Sequence, residues 1–246
     1  DDADLMARAI LLSGSYMLYE RHRAAPPPEA FAPHRLTTPN VSGRMDNLRA
    51  AMSLALSGGV DPVIAVKLAV QLQGFWILRG YITEGRRLVK AALQLPAVQE
   101  FKLAKAHALY VGAALAECQS DHGEALEMLE SSLAIHRELG DPENIAATLS
   151  TLSTTRLEMG DTTRARADEL EAIDIFRQLG QQLNEGIALR NLGQIALYEG
   201  DATQAREHLT AGLALARQVS SPEEEGECEL VLGEVELEMG ATAEAI

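Results

Sequence analysis

Glycine recurs at 80, 160, 200 and 240 on a single 40-residue period, and Ser120 fills the remaining slot. Self-similarity at such a period marks a chain built from repeated supersecondary units, each too small to bury its apolar face alone. The contexts repeat as well: Leu-Glu-Met-Gly-Asp at 157–161, Leu-Tyr-Glu-Gly-Asp at 197–201 and Leu-Glu-Met-Gly-Ala at 237–241. A second set of marks, Leu139-Gly140 and Leu179-Gly180, is accompanied by Asp61-Pro62, Asp141-Pro142 and Ser221-Pro222 at intervals of 80. Glycine just past a helix end supplies the left-handed conformation that stops it. Asp or Ser caps the next helix, and Pro at its first position has no amide to waste. Two turns per 40 residues predict two helices per repeat.

The apolar spacing between the turns is helical, with Ile145, Leu149 and Leu152 in one segment and Ala165, Ala172, Ile175 and Leu179 in the next. Aligning the repeats gives columns. Positions 72, 112, 152, 192 and 232 read Leu, Gly, Leu, Leu, Leu, and positions 85, 125, 165, 205 and 245 read Gly, Ala, Ala, Ala, Ala. Large residues in the first column fill the space between repeats, and small ones in the second let paired helices approach closely. With 47% hydrophobic but only 4% aromatic residues, the composition suits close-packed helices rather than a β-sandwich. The expected fold is all-α: a right-handed superhelical stack of antiparallel helix pairs.

Leu192-Gly193, Ala196, Gly200, Ala205 and Leu209 resemble the pattern of tetratricopeptide repeats in a 40-residue form, over roughly residues 60–246. Ser153 and Arg156 depart from it, standing where glycine and a small or aromatic residue are usual. The stretch Asp46-Asn47-Leu48-Arg49-Ala50-Ala51, followed by Phe75-Trp76-Ile77-Leu78-Arg79-Gly80-Tyr81 and Glu84-Gly85-Arg86-Arg87-Leu88, is more particular. It resembles the entry into the repeat region of bacterial signal-transducing ATPases and LuxR/AfsR-type transcriptional regulators. That resemblance implies a nucleotide-binding switch domain and a DNA-binding domain elsewhere in a longer chain.

Residues 1–23 read as an amphipathic helix, with Leu5, Ile10, Leu12, Tyr16 and Tyr19 at near-helical spacing, either a cap or the end of a preceding domain. Residues 24–44 hold Pro26, Pro27, Pro28, Pro33 and Pro39 and read as an extended linker. The repeats occupy 45–246. The chain begins without Met and stops at Ala-Glu-Ala-Ile in an unfinished helical pattern, so it is expected to be a piece of something longer. A net charge of -15 disfavours direct binding to nucleic acid or an anionic membrane. No apolar run is long enough to span a bilayer. Cys118 and Cys228 are far apart in helical segments, which offers no disulfide framework or zinc spacing and fits a reducing cytoplasmic setting.

Chemistry-bearing motifs are scarce. Gly80-Tyr-Ile-Thr-Glu-Gly85-Arg86-Arg87 has the glycine spacing of a phosphate-binding loop but lacks its Lys-Ser/Thr pair. The six histidines show no ligand spacing, so no metal is expected, and no cofactor either. Asp121-His122 reads as a polar helix start. Glu158 with Asp161, and Glu223-Glu224-Glu225, read as solvated faces and first-turn charges. No nucleophile signature is present, the two cysteines read as small helix residues, and no catalytic residue is assigned.

Binding is therefore sought on the concave face, which the first helix of each repeat lines. Three rows vary between repeats: Val70, Tyr110, Ser150, Arg190, Leu230; Gly74, Ala114, Thr154, Gln194, Glu234; and Leu78, Cys118, Glu158, Tyr198, Glu238. Rows offset by four residues share one helical face. Its middle, Tyr110, Thr154, Arg190, Gln194 and Tyr198, suits a peptide, a protein segment or a small polar effector. Asn191 has Thr151 and Val231 as counterparts, which disfavours a carboxylate-clamp adaptor. The expected function is a non-catalytic regulatory binding module of a larger bacterial regulator, with a nucleotide-binding domain as an in-chain partner. The alternative is a free-standing scaffold or peptide receptor. An enzyme would require a polar catalytic cluster that the sequence does not display.

Overall fold

The computed structural model describes residues 49–50, 52–57 and 63–244. Among them every regular element is a helix and none is a strand, as the repeat requires. The expected N-terminal helix and the proline-rich linker lie outside the described residues. The chain divides between Gln119 and Ser120 into two compact units.

In the first unit, helical residues 49–50 and 52–56 precede α1 (Val63–Gln71), α2 (Gln73–Arg79), α3 (Ile82–Leu93), α4 (Pro96–Glu100) and α5 (Lys102–Glu117). The repeat is less regular here than two helices per period. Between α1 and α2 the amides of Leu72 and Trp76 still bond four residues back, to Leu68 and Leu72, so the axis is interrupted but not reversed. The second helix stops at Leu93 because Pro96 brings no amide and disfavours helical geometry at Leu95. Trp76 is buried against Gly85: a β-carbon on that glycine would lie 2.6 Å from the indole. Gly80 closes α2 in the left-handed conformation, φ 75°. Both glycines of the loop-like Gly80–Gly85 motif thus have packing and turn roles.

The second unit is regular: α6 (His122–Leu139), α7 (Pro142–Glu158), α8 (Thr162–Leu179), α9 (Gln182–Tyr198), α10 (Ala202–Gln218) and α11 (Pro222–Glu244). Gly140, Gly160, Gly180 and Gly200 all take positive φ, and Ser120 and Ser220 adopt the same conformation in the slots that lack glycine. Asp121, Asp141, Asp161 and Asp201 each accept the amide three residues on, at 3.4, 3.3, 3.2 and 2.9 Å. Asp121-His122 is thus a helix start. Gly240 departs from the expectation: α11 runs through it to Glu244. The residue after it is Ala241, where Asp161 and Asp201 cap the following helices, although Gln181 begins α9 without a side-chain cap.

Ala125, Ala165 and Ala205 are fully buried, as are Leu152 and Leu192, while Leu232 is half-buried. Leu179, at the last turn of α8, is 40% exposed, and Ile145 and Ile175 are half-buried. First helices pack on first helices, α7 on α9 and α9 on α11. The second helices α6 and α8 are joined instead by side chains such as Arg137 and Glu171, 2.8 Å apart. In this unit the first helices therefore form the inner layer.

The two helices of the α9–α10 pair bring their backbones close at Gly186 and Gly212, where the preceding repeat has Ala146 and Ala172. A β-carbon on Gly212 would stand 2.9 Å from the Gly186 carbonyl oxygen, which as backbone cannot step aside. Gly212→Ala is expected to destabilise the second unit by about 1–3 kcal/mol in urea unfolding. Gly123→Ala, with nothing within 4 Å of the added carbon, should not.

Candidate binding face

Exposure along the variable rows rises towards the end of each first helix. In the second unit Ser150 and Arg190 are half-buried, Thr154 is exposed, Gln194 is half-buried, and Tyr198 is 66% exposed. Leu230, Glu234 and Glu238 on α11 are all exposed. In the first unit Tyr110 and Ala114 are half-buried on α5, and Cys118 is exposed. Of the predicted site residues, the structure brings Thr154, Gln194 and Tyr198 to two first helices that pack together. Tyr198 reaches from α9 towards the turn after α7: its hydroxyl lies 3.7 Å from where a β-carbon on Gly160 would sit. Thr154 spends its hydroxyl on the Thr151 carbonyl at 2.8 Å.

Arg190 is not available as a free cation. Its Nε donates to Glu224 Oε1 at 2.7 Å, and the two side chains are only 17% and 7% exposed. Glu224, read from the sequence as a solvated first-turn charge, is buried under α9, because the first turn of α11 packs there and the guanidinium compensates the carboxylate. Residues 120–246 contain eight arginines and no lysine. Each arginine is ion-paired: Arg137, Arg156, Arg164, Arg166, Arg177, Arg190, Arg206 and Arg217. This face offers polar, aromatic and acidic groups, and no unpaired cation to hold an anion.

Beneath the face lies a polar cluster that sequence reasoning missed. Glu169 on α8 is fully buried. Its Oε1 accepts the Ser150 hydroxyl from α7 at 2.7 Å and the Asn191 amide from α9 at 3.3 Å, and Asn191 also donates to Ser150 at 3.2 Å. Oε2 and the nearby Ser153 Oγ are both buried without a well-formed hydrogen bond, and the Ser153 hydroxyl lies close enough to favour the charged carboxyl. Burial pushes the Glu169 carboxyl up to about 7, against the opposing pull of Ser150, Ser153 and Asn191. Beside it Arg156 bridges Asp168 and Glu130, and burial raises the Asp168 carboxyl despite that guanidinium. The signal was present in the repeat: column 89, 129, 169, 209 reads Val, Leu, Glu, Leu, and all four are buried.

Ser153 and Glu169 also depart together. Gly193 occupies the Ser153 position one repeat on, and a β-carbon there would meet the Leu209 Cγ at 2.6 Å. Ser153 carries that carbon, and its partner Glu169 has an unbranched γ-position in place of leucine's branch.

Among the described residues no group of three metal-ligating side chains exists, and no helix is long and apolar enough to cross a membrane. Neither cysteine is bonded. Burial, with Glu224 beside it, pushes the Cys228 thiol up to about 12. With a thiol-specific reagent in native buffer, Cys118 is expected to react and Cys228 only after unfolding; rapid reaction of both would contradict the packing of α11. Arg190→Met should cost about 2–4 kcal/mol in urea unfolding, because it strands a buried carboxylate, and adding Glu224→Leu should restore most of the loss.

Residues 104–178 match the tetratricopeptide repeat family. No curated protein sequence matches the chain. Among solved structures it is similar to BtubC from P. vanneervenii, with 19% identity, TM-score 0.67, and coverage of 81% of this chain and 83% of that one. It is also similar to a Rap protein complexed with competence and sporulation factor, with 18% identity, TM-score 0.62, and coverage of 79% and 60%. A third likeness is to a signal transduction ATPase with numerous domains from Pyrococcus horikoshii, which carries a tetratricopeptide repeat sensor. Here identity is 16%, the TM-score 0.64, and coverage 78% of this chain and 30% of that one. At such identities the likeness speaks of fold alone: the chain contains a tetratricopeptide repeat region and folds as a stack of helix pairs.

Proposed function

We propose that the chain is a non-catalytic binding module whose inner face takes a peptide or a segment of a partner protein. The observation that carries this reading is the inner layer of the second unit, where Tyr198 stands exposed beside Gln194 and Thr154 on helices fixed by a rigid scaffold. An exposed aromatic flanked by amide and hydroxyl groups is the usual composition of a peptide anchor. With every arginine in this unit paired, the face favours a neutral or basic segment over an acidic one. Glu169 gives an enzyme reading no support, since the buried carboxyl is enclosed and no reacting atom reaches it. That a structure of this fold is complexed with competence and sporulation factor supports binding as the mode of action.

We place the module in a larger signalling ATPase or transcriptional regulator, where a bound partner would bias a switch domain. Two things support this: the resemblance at Phe75–Tyr81 and Glu84–Leu88, and a repeat sensor in an ATPase of similar fold. A free-standing scaffold is the second reading, favoured by the likeness to BtubC, which is covered over most of its length.

The test selects binders from a displayed random-peptide library and titrates them by fluorescence anisotropy. Tyr198→Ala with Gln194→Ala should weaken the selected peptides at least about tenfold. Because Tyr198 is mostly exposed, the melting temperature should move by no more than about 2 °C. Unaltered affinity in a folded double variant would remove the assignment. Arg190 is left untouched, because changing it would confound binding with stability.

A further inference from the structure

The repeat places a large apolar side chain at positions 89, 129 and 209 and buries each one; at 169 it places a carboxyl and buries it equally. Glu169 lies on a second helix but bonds only to first helices, Ser150 of α7 and Asn191 of α9, which belong to consecutive repeats. We propose that Glu169, Ser150 and Asn191 form a proton-sensitive latch between the inner helices α7 and α9, closed when the carboxyl holds its proton and loosened when it is charged.

The geometry sets the direction. As a neutral acid, the group adds a donor to a cluster that contains two serine oxygens, one of them, Ser153 Oγ, otherwise unpartnered. As an anion it can only accept, and the donors it can draw on, Ser150, Asn191 and the Ser153 hydroxyl, are all neutral. The charged and polar groups that act on it are Ser150 and Ser153 from α7, Asp168 from α8 itself, and Asn191 from α9; Arg156 of α7 and Glu130 of α6 come next, paired through Arg156 with Asp168. No cation stands among the groups that act on it, Arg156 being shared between Asp168 and Glu130, and the Asp168 charge repels a second anion beside it. A buried anion without a cation to compensate it is a high-energy group, and separation of α7 from α9, which admits water, relieves it.

The sign of the pH dependence follows. The carboxyl titrates at about 7 in the folded chain, above its ordinary value of 4.5. The folded state therefore binds more protons between those values. The stability that the group contributes is fully present below 4.5 and is lost as pH rises through about 7. Near neutrality both forms are populated, so a modest change in pH shifts the balance between a tight and a loose inner layer.

The test compares the full chain with Glu169→Gln, a permanently neutral near-isostere, and with Glu169→Leu combined with Ser153→Gly, which restores the pair found at Leu209 and Gly193. Amide hydrogen exchange in α7 and α9, corrected for the intrinsic rate, is measured at about pH 5.5 and about pH 8. Protection in the natural chain should fall at least about tenfold more than in Glu169→Gln, and protection elsewhere in the unit should fall less. Equal pH dependence in the natural chain and the glutamine variant would overturn the proposal. If the glutamine variant does not fold, the Leu/Gly pair carries the same comparison: a flat profile supports the latch and an unchanged one refutes it.

Discussion

The second unit depends on one steric constraint: the two helices of each repeat lie so close that one side of their contact must be nearly bare. Ala125, Ala165 and Ala205 hold that column, and in the α9–α10 pair Gly186, Gly193 and Gly212 extend it until backbone meets backbone. Dispersion contacts at that distance are dense, and the interior tolerates little added volume. The large partner in each repeat, Leu129 or Leu209, is then the knob that fills the remaining space. Left-handed turns end α6 to α10 at a fixed interval, and aspartate caps start α6, α7, α8 and α10, which keeps the repeat in register.

Within this scheme the repeat containing α7 and α8 is anomalous at four positions. Ser153, Arg156 and Glu169 replace groups that are small or apolar one repeat on, Gly193, Ala196 and Leu209, and Asp168 stands where that repeat has His208. Arg156 and Asp168 form an ion pair of which each side chain is only 13% exposed, and Glu169 takes the knob position. A carboxyl in place of leucine gives up transfer free energy and incurs a desolvation penalty, so it does not add stability as an apolar residue would. What it adds is direction, because hydrogen bonds to Ser150 and Asn191 fix the register of two first helices in a way that leucine cannot.

The period, the turns and the fold class were legible in the sequence because they rest on local chemistry: glycine at φ > 0, aspartate at a cap, alanine in a column. Gly240 shows the limit of that reading, since an identical Leu-Glu-Met-Gly context does not turn when the next residue is Ala241 rather than aspartate. The variable rows were legible too, because a face facing solvent or a ligand need not repeat. Which members of the rows are free was not. Arg190 and Glu224 are 34 residues apart, and no local pattern states that one neutralises the other. Glu169 was legible in principle, as the one acid in a column of Val, Leu and Leu, but comparison of first-helix positions alone did not reach it.

These pairings converge on α9. On one side it is tied to α7 and α8 through Asn191, Ser150 and Glu169, and on the other to α11 through Arg190 and Glu224, with Cys228 3.6 Å from that carboxylate. Both ties involve a buried carboxyl group, Glu169 in one and Glu224 in the other. Apolar contacts alone would let neighbouring first helices slide at little cost, since dispersion has no preferred direction. Directional bonds on both flanks instead hold Gln194 and Tyr198, one and two turns along α9, in a defined place relative to Thr154. The same feature makes the inner layer sensitive to charge: whatever protonates or displaces one of these carboxyls acts on the helix that presents the exposed aromatic. In this unit the polar groups under the surface thereby set the geometry of the surface itself.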